Sequence, residues 1–168
     1  MDTGIAEAVS RKIAIISGGQ TGVDRAALDV ALKLKIPCGG WCPKGRLSED
    51  GGIPKKYPLR EAGSERYDVR TRLNVQTSSG TLILFREDIR KESGTAYTKK
   101  VAEELAKPLL TIDLNEGINS CKIVSDWILK NSITILNIAG PRESQSPGIY
   151  SNAYEFLLKA ISPFSEKR

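Results

Sequence analysis

The residues of this chain best suited to chemistry are glycines, hydroxyls and amides gathered in short clusters. The first cluster is SGGQTG at residues 17–22, directly after the apolar run IAII at residues 13–16. Glycines such as Gly18, Gly19 and Gly22 let a backbone approach an anion closely. The N–H groups that open a following helix carry partial positive charge. Gln20 and Thr21 add side-chain donors. The spacing is G-G-x-x-G, not G-x-G-x-x-G, and no lysine follows Gly22, so this turn holds neither a dinucleotide fingerprint nor a P-loop. Alone, the cluster fits an anion-binding turn or a tight structural turn without ligand.

Three further clusters share this chemistry. Ser79, Gly80 and Thr81 lie in TSSGT ahead of an apolar stretch. Ser93, Gly94 and Thr95, with Thr98, stand at a helix start. NIAGPRES at residues 137–144 brings Arg142 to another strand exit. Each alone is capping or turn chemistry, and a solvated loop arginine is the alternative reading of Arg142. Together they place N–H and hydroxyl donors around one anion, with Arg142 able to meet phosphate or carboxylate.

The segment WCPKGRLSEDG, residues 41–51, mixes an aromatic, two cations and two carboxylates. It fits a loop closing over a ligand, with Trp41 or Tyr57 stacking on a base and Lys44 or Arg46 meeting phosphate. It fits a charged surface loop as well. If the chain cleaves an N-glycosidic bond, Asp24, Glu49 and Asp50 are the candidate carboxylates.

These clusters need a scaffold, and the sequence reads as alternating strands and helices. Strands are expected at residues 13–16, 81–85, 109–112 and 133–139, with a second short strand or extended connection at 36–42. Helices are expected from Thr21, as cap, to about residue 35, from Ser93 to before Pro108, over 118–129, and from Ser146 and Pro147 onward. Residues 67–76 fit a strand or a short helix, and the glycine- and proline-rich stretch 43–66 an ordered binding loop. Strand–helix repetition with continuous apolar strands argues for an α/β fold. That fold is a Rossmann-like three-layer α/β/α arrangement around a mostly parallel sheet, with ligands outside the carboxyl ends of its strands.

Composition narrows the function further. The 168 residues fit one domain with a self-sufficient core. There is no histidine, which excludes a Ser-His-Asp triad, a Cys-His dyad and any His-ligated zinc site. Cys38, Cys42 and Cys121 read as reduced thiols, with a zinc site the lesser alternative, and no metal is expected. Of the net charge of +5, +3 lies between Lys44 and Arg72, where eight basic residues face five acidic ones. So small an excess, with 6% aromatics, favours a small anionic ligand over nucleic acid. No apolar run approaches the ~18 residues of a membrane span, and the start lacks a signal-peptide layout, so a cytoplasmic location without membrane contact is expected.

Four blocks then stand out in order: GGQTGVDRAALDVAL, GGWCPKGRLSEDGGIPKKYPLRE, YDVRTRLNVQTSSGTLIL and SGTAYTKKVAE. Over roughly residues 12–161 the chain resembles the putative molybdenum carrier family, also described as the circularly permuted YpsA-like branch of the SLOG superfamily. The resemblance implies a single Rossmann-like domain over residues 12–162, between tails at 1–11 and 163–168, in a self-associating homo-oligomer. It implies a pocket for a nucleotide or nucleotide-derived ligand at the glycine turns. Molybdenum or molybdopterin enters by family name alone, although molybdate would use the same N–H donors as phosphate. Related SLOG members cleave nucleoside monophosphates with a Gly-Gly-x-Gly-Thr turn followed by a glutamate. Here Ser78, Ser79, Gly80 and Thr81 occupy that turn, Ser79 replaces the usual acidic residue, and Thr98 stands downstream of Gly94 and Thr95 where the glutamate is expected. Ligand binding is therefore the leading expectation. Hydrolysis of nucleoside monophosphates and carriage of molybdate or its cofactor are the alternatives.

Overall fold

The structure is a computed structural model that describes residues 11–86, 93–117 and 119–166. Its centre is a five-stranded sheet built from β1 (Ala14–Ile16), β2 (Cys38–Gly39), β7 (Gly80–Phe85), β8 (Leu109–Asp113) and β9 (Ile135–Ala139). The spatial order is β2-β1-β9-β7-β8 and every pairing is parallel. Such a sheet must be covered on both faces, which is why its strands read as near-continuous apolar runs.

The two faces differ in size. Helices α1 (Val23–Lys33), α4 (Ser120–Lys130) and α5 (Ile149–Ala160) pack on one face. Ile15, Leu82, Leu84, Leu136 and Ile138 point into that face and are fully buried. Each such side chain contributes about 1.5–3 kcal/mol. Helices α2 (Tyr67–Thr77) and α3 (Gly94–Glu104) cover the other face through a smaller cluster around Val75, Val101 and Ala102. The residues between the large apolar ones turn to this second face. Asn137 and Thr81 are buried there, joined by an Asn137 Nδ2 to Thr81 Oγ1 hydrogen bond of 3.3 Å.

Residues 67–77 form a helix. Only Thr71, Asn74 and Val75 of it are buried, a stripe too narrow and too polar to show helical periodicity in the sequence. The stretch 43–66 is ordered by short pairings. β3 (Trp41–Cys42) runs parallel to β6 (Arg60–Glu61), and β4 (Leu47–Ser48) pairs antiparallel with β5 (Gly51–Gly52) as a hairpin. The Arg46 guanidinium, expected to meet phosphate, instead donates to the carbonyls of Ile53, Pro54, Tyr57 and Leu59 and knits its own loop.

Two expected caps are corrected. Gly22, not Thr21, is the N-cap of α1, and its φ of 81° suits glycine. Gly148, not Ser146, caps α5, and its N–H is accepted by the Glu143 carboxylate. Ser93 does cap α3, its hydroxyl accepting from the Ala96 N–H. Phe164 is buried in the main core, so packed structure continues past residue 162 into the segment expected to be a tail. The expected N-terminal tail lies, but for Arg11, outside the described residues. No helix among the described residues is long and apolar enough to cross a membrane.

Candidate functional site

The carboxyl ends of β1, β9 and β7 open onto a cavity of about 260 Å³. Gln20 and Asp24 reach it from the turn after β1. Gly140, Arg142 and Gln145 come from the turn after β9. Ser93, Gly94, Thr95 and Thr98 come from the start of α3, and Tyr67, Arg70 and Thr71 from α2. This is the side of an open parallel sheet on which ligands bind. Gln20 and Gln145, 125 positions apart in the chain, thus meet at one cavity. A second, much smaller void of about 10 Å³ lies deeper, between Gly18, Asp24, Arg70, Asn74, Thr98 and Asn137.

Two arginines supply the charge. Arg142 is about one-third exposed, and its guanidinium makes no hydrogen bond to a described residue. Its nearest counter-charge, Glu49, is 3.9 Å away from Nε. Arg70 donates from Nη1 to Asp24 at 3.0 Å, while its buried Nε has no partner. Both guanidiniums lie over the ring of Tyr67, at 5.8 Å for Arg70 and 5.7 Å for Arg142. The aromatic face attracts each cation and holds the two near one another. Neither Arg70 nor Tyr67 is among the residues the sequence offers for the site, although both lie in YDVRTRLNVQTSSGTLIL, one of the blocks that carry the family resemblance, and that block is the signal that could have found them.

The three candidate carboxylates are all engaged. Burial raises the Asp24 carboxyl above its ordinary range, against the opposing pull of Arg70 and the Gln20 N–H. Asp50 is held far below the ordinary range, first by hydrogen bonds from Arg25. Glu49 sits at the tip of the β4–β5 hairpin, where its carboxylate accepts from the Thr21 hydroxyl and from the Ser144 N–H and hydroxyl. Desolvation pushes its pKa up, and these hydrogen bonds outweigh it and leave the group below its usual value. Of the three, Asp24 alone lines the cavity.

The remaining sequence candidates divide. Gly18 lies at the deeper void and Thr95 and Thr98 are buried at the cavity, with the Thr98 hydroxyl donating back to the Gly94 carbonyl. Gly19 and Gly22 shape the turn but do not line the cavity. Ser79 and Gly80 do not join it either. They stand at the opposite, amino end of β7, where the Ser79 hydroxyl ties to the backbone of Thr134 and Ile135. Thr81 is one step further in and is spent on Asn137. Lys44 is exposed on its turn, away from the cavity lining. Tyr57 is buried with its hydroxyl donated to Asp29, Trp41 is half-buried with its backbone paired to Asn74, and neither lines the cavity. Burial pushes all three cysteine thiols up, which makes them poor metal ligands and nucleophiles. Among the described residues no group of three Cys, Asp or Glu side chains is placed to hold a metal ion.

A family model for the circularly permutated YpsA SLOG family matches residues 15–161. The chain belongs to that family. Among solved structures, this SLOG chain is similar to one described as a putative molybdenum carrier protein, from Syntrophus aciditrophicus SB. Identity is 44%, the match covers 87% of this chain and 92% of that one, and the TM-score is 0.84. No curated protein matches. The α/β, Rossmann-like expectation is thereby met in both sequence family and architecture. The family model spans all four elements that build the cavity.

Proposed function

We propose that this SLOG chain binds a phosphate-bearing small molecule, of nucleotide or nucleotide-derived type, in the cavity at the carboxyl ends of β1, β9 and β7. One observation carries the reading. Arg142 presents a guanidinium with unspent donors to the same cavity that receives the start of α3 and the Gln20 turn. Guanidinium and helix N-terminal N–H groups are the two protein devices best matched to a phosphate. The volume, just under the ~300 Å³ lower range for small-molecule sites, suits a compact ligand. Molybdate is a tetrahedral oxyanion that the same donors fit, so the printed name of the structural neighbour is compatible with this chemistry. The engagement of Asp24, Glu49 and Asp50 favours binding over turnover. Homo-oligomer formation is part of the proposal only by family resemblance.

The test is calorimetry and thermal shift with nucleoside monophosphates, inorganic phosphate and molybdate. Binding is expected, with a melting temperature that climbs as ligand is added. Arg142→Ala is expected to lower affinity about tenfold or more, the size of a charged hydrogen bond, while its own melting temperature stays close to that of the unaltered protein. No binding by any of these anions at millimolar concentration would refute the proposal.

A further inference from the structure

Gln20 sits on the floor of the cavity and is 7% exposed. Its carboxamide oxygen is already committed. It accepts from the Thr21 N–H at 3.0 Å and from the Glu49 N–H at 3.0 Å. A carbonyl oxygen that receives two backbone N–H groups fixes which end of the amide is which, because the NH₂ end cannot accept either. The nitrogen end donates to no described residue, and Gln20 lines the cavity, so the side-chain donors it has left for a ligand there are those of its NH₂ group. A donor facing a cavity is met by water or by an acceptor atom of whatever occupies it.

We propose that Gln20 is a specificity-determining residue, whose clamped carboxamide requires an acceptor atom, such as an oxyanion oxygen, on the ligand group seated at the β1 turn. The inference rests on the anion-binding reading above and adds the polarity of one ligand atom to it. The clamp is built from two separate segments. The Thr21 N–H comes from the turn itself, and the Glu49 N–H comes from the hairpin tip, which also holds Ser144 of the Arg142 loop. The hairpin therefore orients the amide donor and holds the arginine loop in one arrangement. A ligand N–H or ammonium group, which can only donate, would meet a second donor at this position and be rejected.

Two substitutions separate this role from a structural one. Gln20→Glu keeps an oxygen that accepts from Thr21 and Glu49, but turns the cavity-facing group into an anionic acceptor. Gln20→Met removes the clamp and the donor without adding charge. If Gln20 only ties the turn, Gln20→Glu is the milder change in melting temperature, and Gln20→Met, which adds no charge to the cavity, leaves sulfate affinity within about twofold. If Gln20 donates to the ligand, Gln20→Met loses the donor and Gln20→Glu adds repulsion to that loss, so both weaken sulfate and Gln20→Glu does so the more. The probes are sodium sulfate, which carries no proton to donate, and adenosine monophosphate, measured by calorimetry at pH 7.5. Gln20→Met is expected to weaken both about tenfold, and Gln20→Glu to weaken sulfate at least tenfold further. The melting temperature without ligand is expected to fall more for Gln20→Met than for Gln20→Glu. Sulfate affinity that stays within about twofold in Gln20→Met, or that survives Gln20→Glu as well as or better than Gln20→Met, overturns the inference and leaves the anion site standing. Sulfate and adenosine monophosphate both failing to bind the unaltered protein overturns the site and the inference together. Adenosine monophosphate binding tighter than sulfate, with the same order of variants, assigns the seat to a nucleotide phosphate. Sulfate binding alone assigns it to a free oxyanion.

Discussion

The guanidinium of Arg70 covers Gly18 so closely that a Cβ on Gly18 would stand 1.5 Å from Nη1. The same Nη1 holds the Asp24 carboxylate at 3.0 Å. Gly18 therefore serves the ion pair beneath the cavity, and its value lies in the space it leaves. Gly18→Ala is expected to push Arg70 aside and weaken its hold on a buried aspartate. Because an arginine tip can move, the loss should be about 1–3 kcal/mol in urea denaturation and not a failure to fold. A stability equal to that of the unaltered protein would show that the pair is unimportant.

Asp24 gives a pH dependence with a definite sign. Its carboxyl is raised above the ordinary 3.8 chiefly by burial, so the folded state binds this proton more tightly than the unfolded chain does. The stability it contributes is fully present below the unfolded value and is lost as pH rises through the raised folded value. Arg70 from α2, the Ser17 hydroxyl and the Gln20 N–H face the group. Asp24→Asn cannot titrate. The stability of the unaltered protein relative to Asp24→Asn is expected to improve as pH is lowered from 7 toward 4. A constant difference across that range would contradict the buried, raised carboxyl.

Glu49 joins the hairpin to two neighbouring turns by three hydrogen bonds to its carboxylate. It is a positioning residue. Glu49→Ala is expected to cost about 1–2 kcal/mol and to lower phosphate affinity by loosening the Arg142 loop. Glu49→Gln keeps an acceptor oxygen and should recover most of both. If instead free base is released from a nucleoside monophosphate, and both variants abolish it alike, Glu49 is an acid or base and the site is hydrolytic.

Asp29 accepts from two tyrosines at once, Tyr57 Oη at 2.8 Å and Tyr150 Oη at 2.6 Å, with Lys56 at 3.2 Å. The pair ties the 43–66 segment and α5 to α1. Tyr57→Phe and Tyr150→Phe are each expected to destabilise by about 1.5 kcal/mol, the range for bonds to a charged group. The double variant should lose more than the sum, because it leaves a mostly buried carboxylate with Lys56 alone. Strict additivity in equilibrium denaturation would show that the two bonds are independent.

The sequence by itself determined the scaffold and the general place of the site. Apolar runs bounded by glycine, with helical periodicity between them, are local signals, and burial of a parallel sheet on both faces makes its strands easy to read. The turn at Gly18 to Gly22 and the capped start at Ser93 are legible because turns and caps are largely local, although the caps of α1 and α5 fall on Gly22 and Gly148 and not on Thr21 and Ser146. Only the tertiary structure decided which donors converge. Ser79 and Gly80 share their residue types with Ser93 and Gly94, yet they stand at the amino end of β7, because strand direction, and not composition, fixes the end at which a residue emerges. Arg46 and Lys44 read as ligand contacts, but Arg46 is spent on carbonyls of its own loop, while Arg70, on a helix with scarcely any apolar stripe, reaches the cavity. Charge and hydrogen-bonding capacity are written in a residue. Whether that capacity is already used depends on neighbours that are far away in the chain and meet it only once the fold is complete.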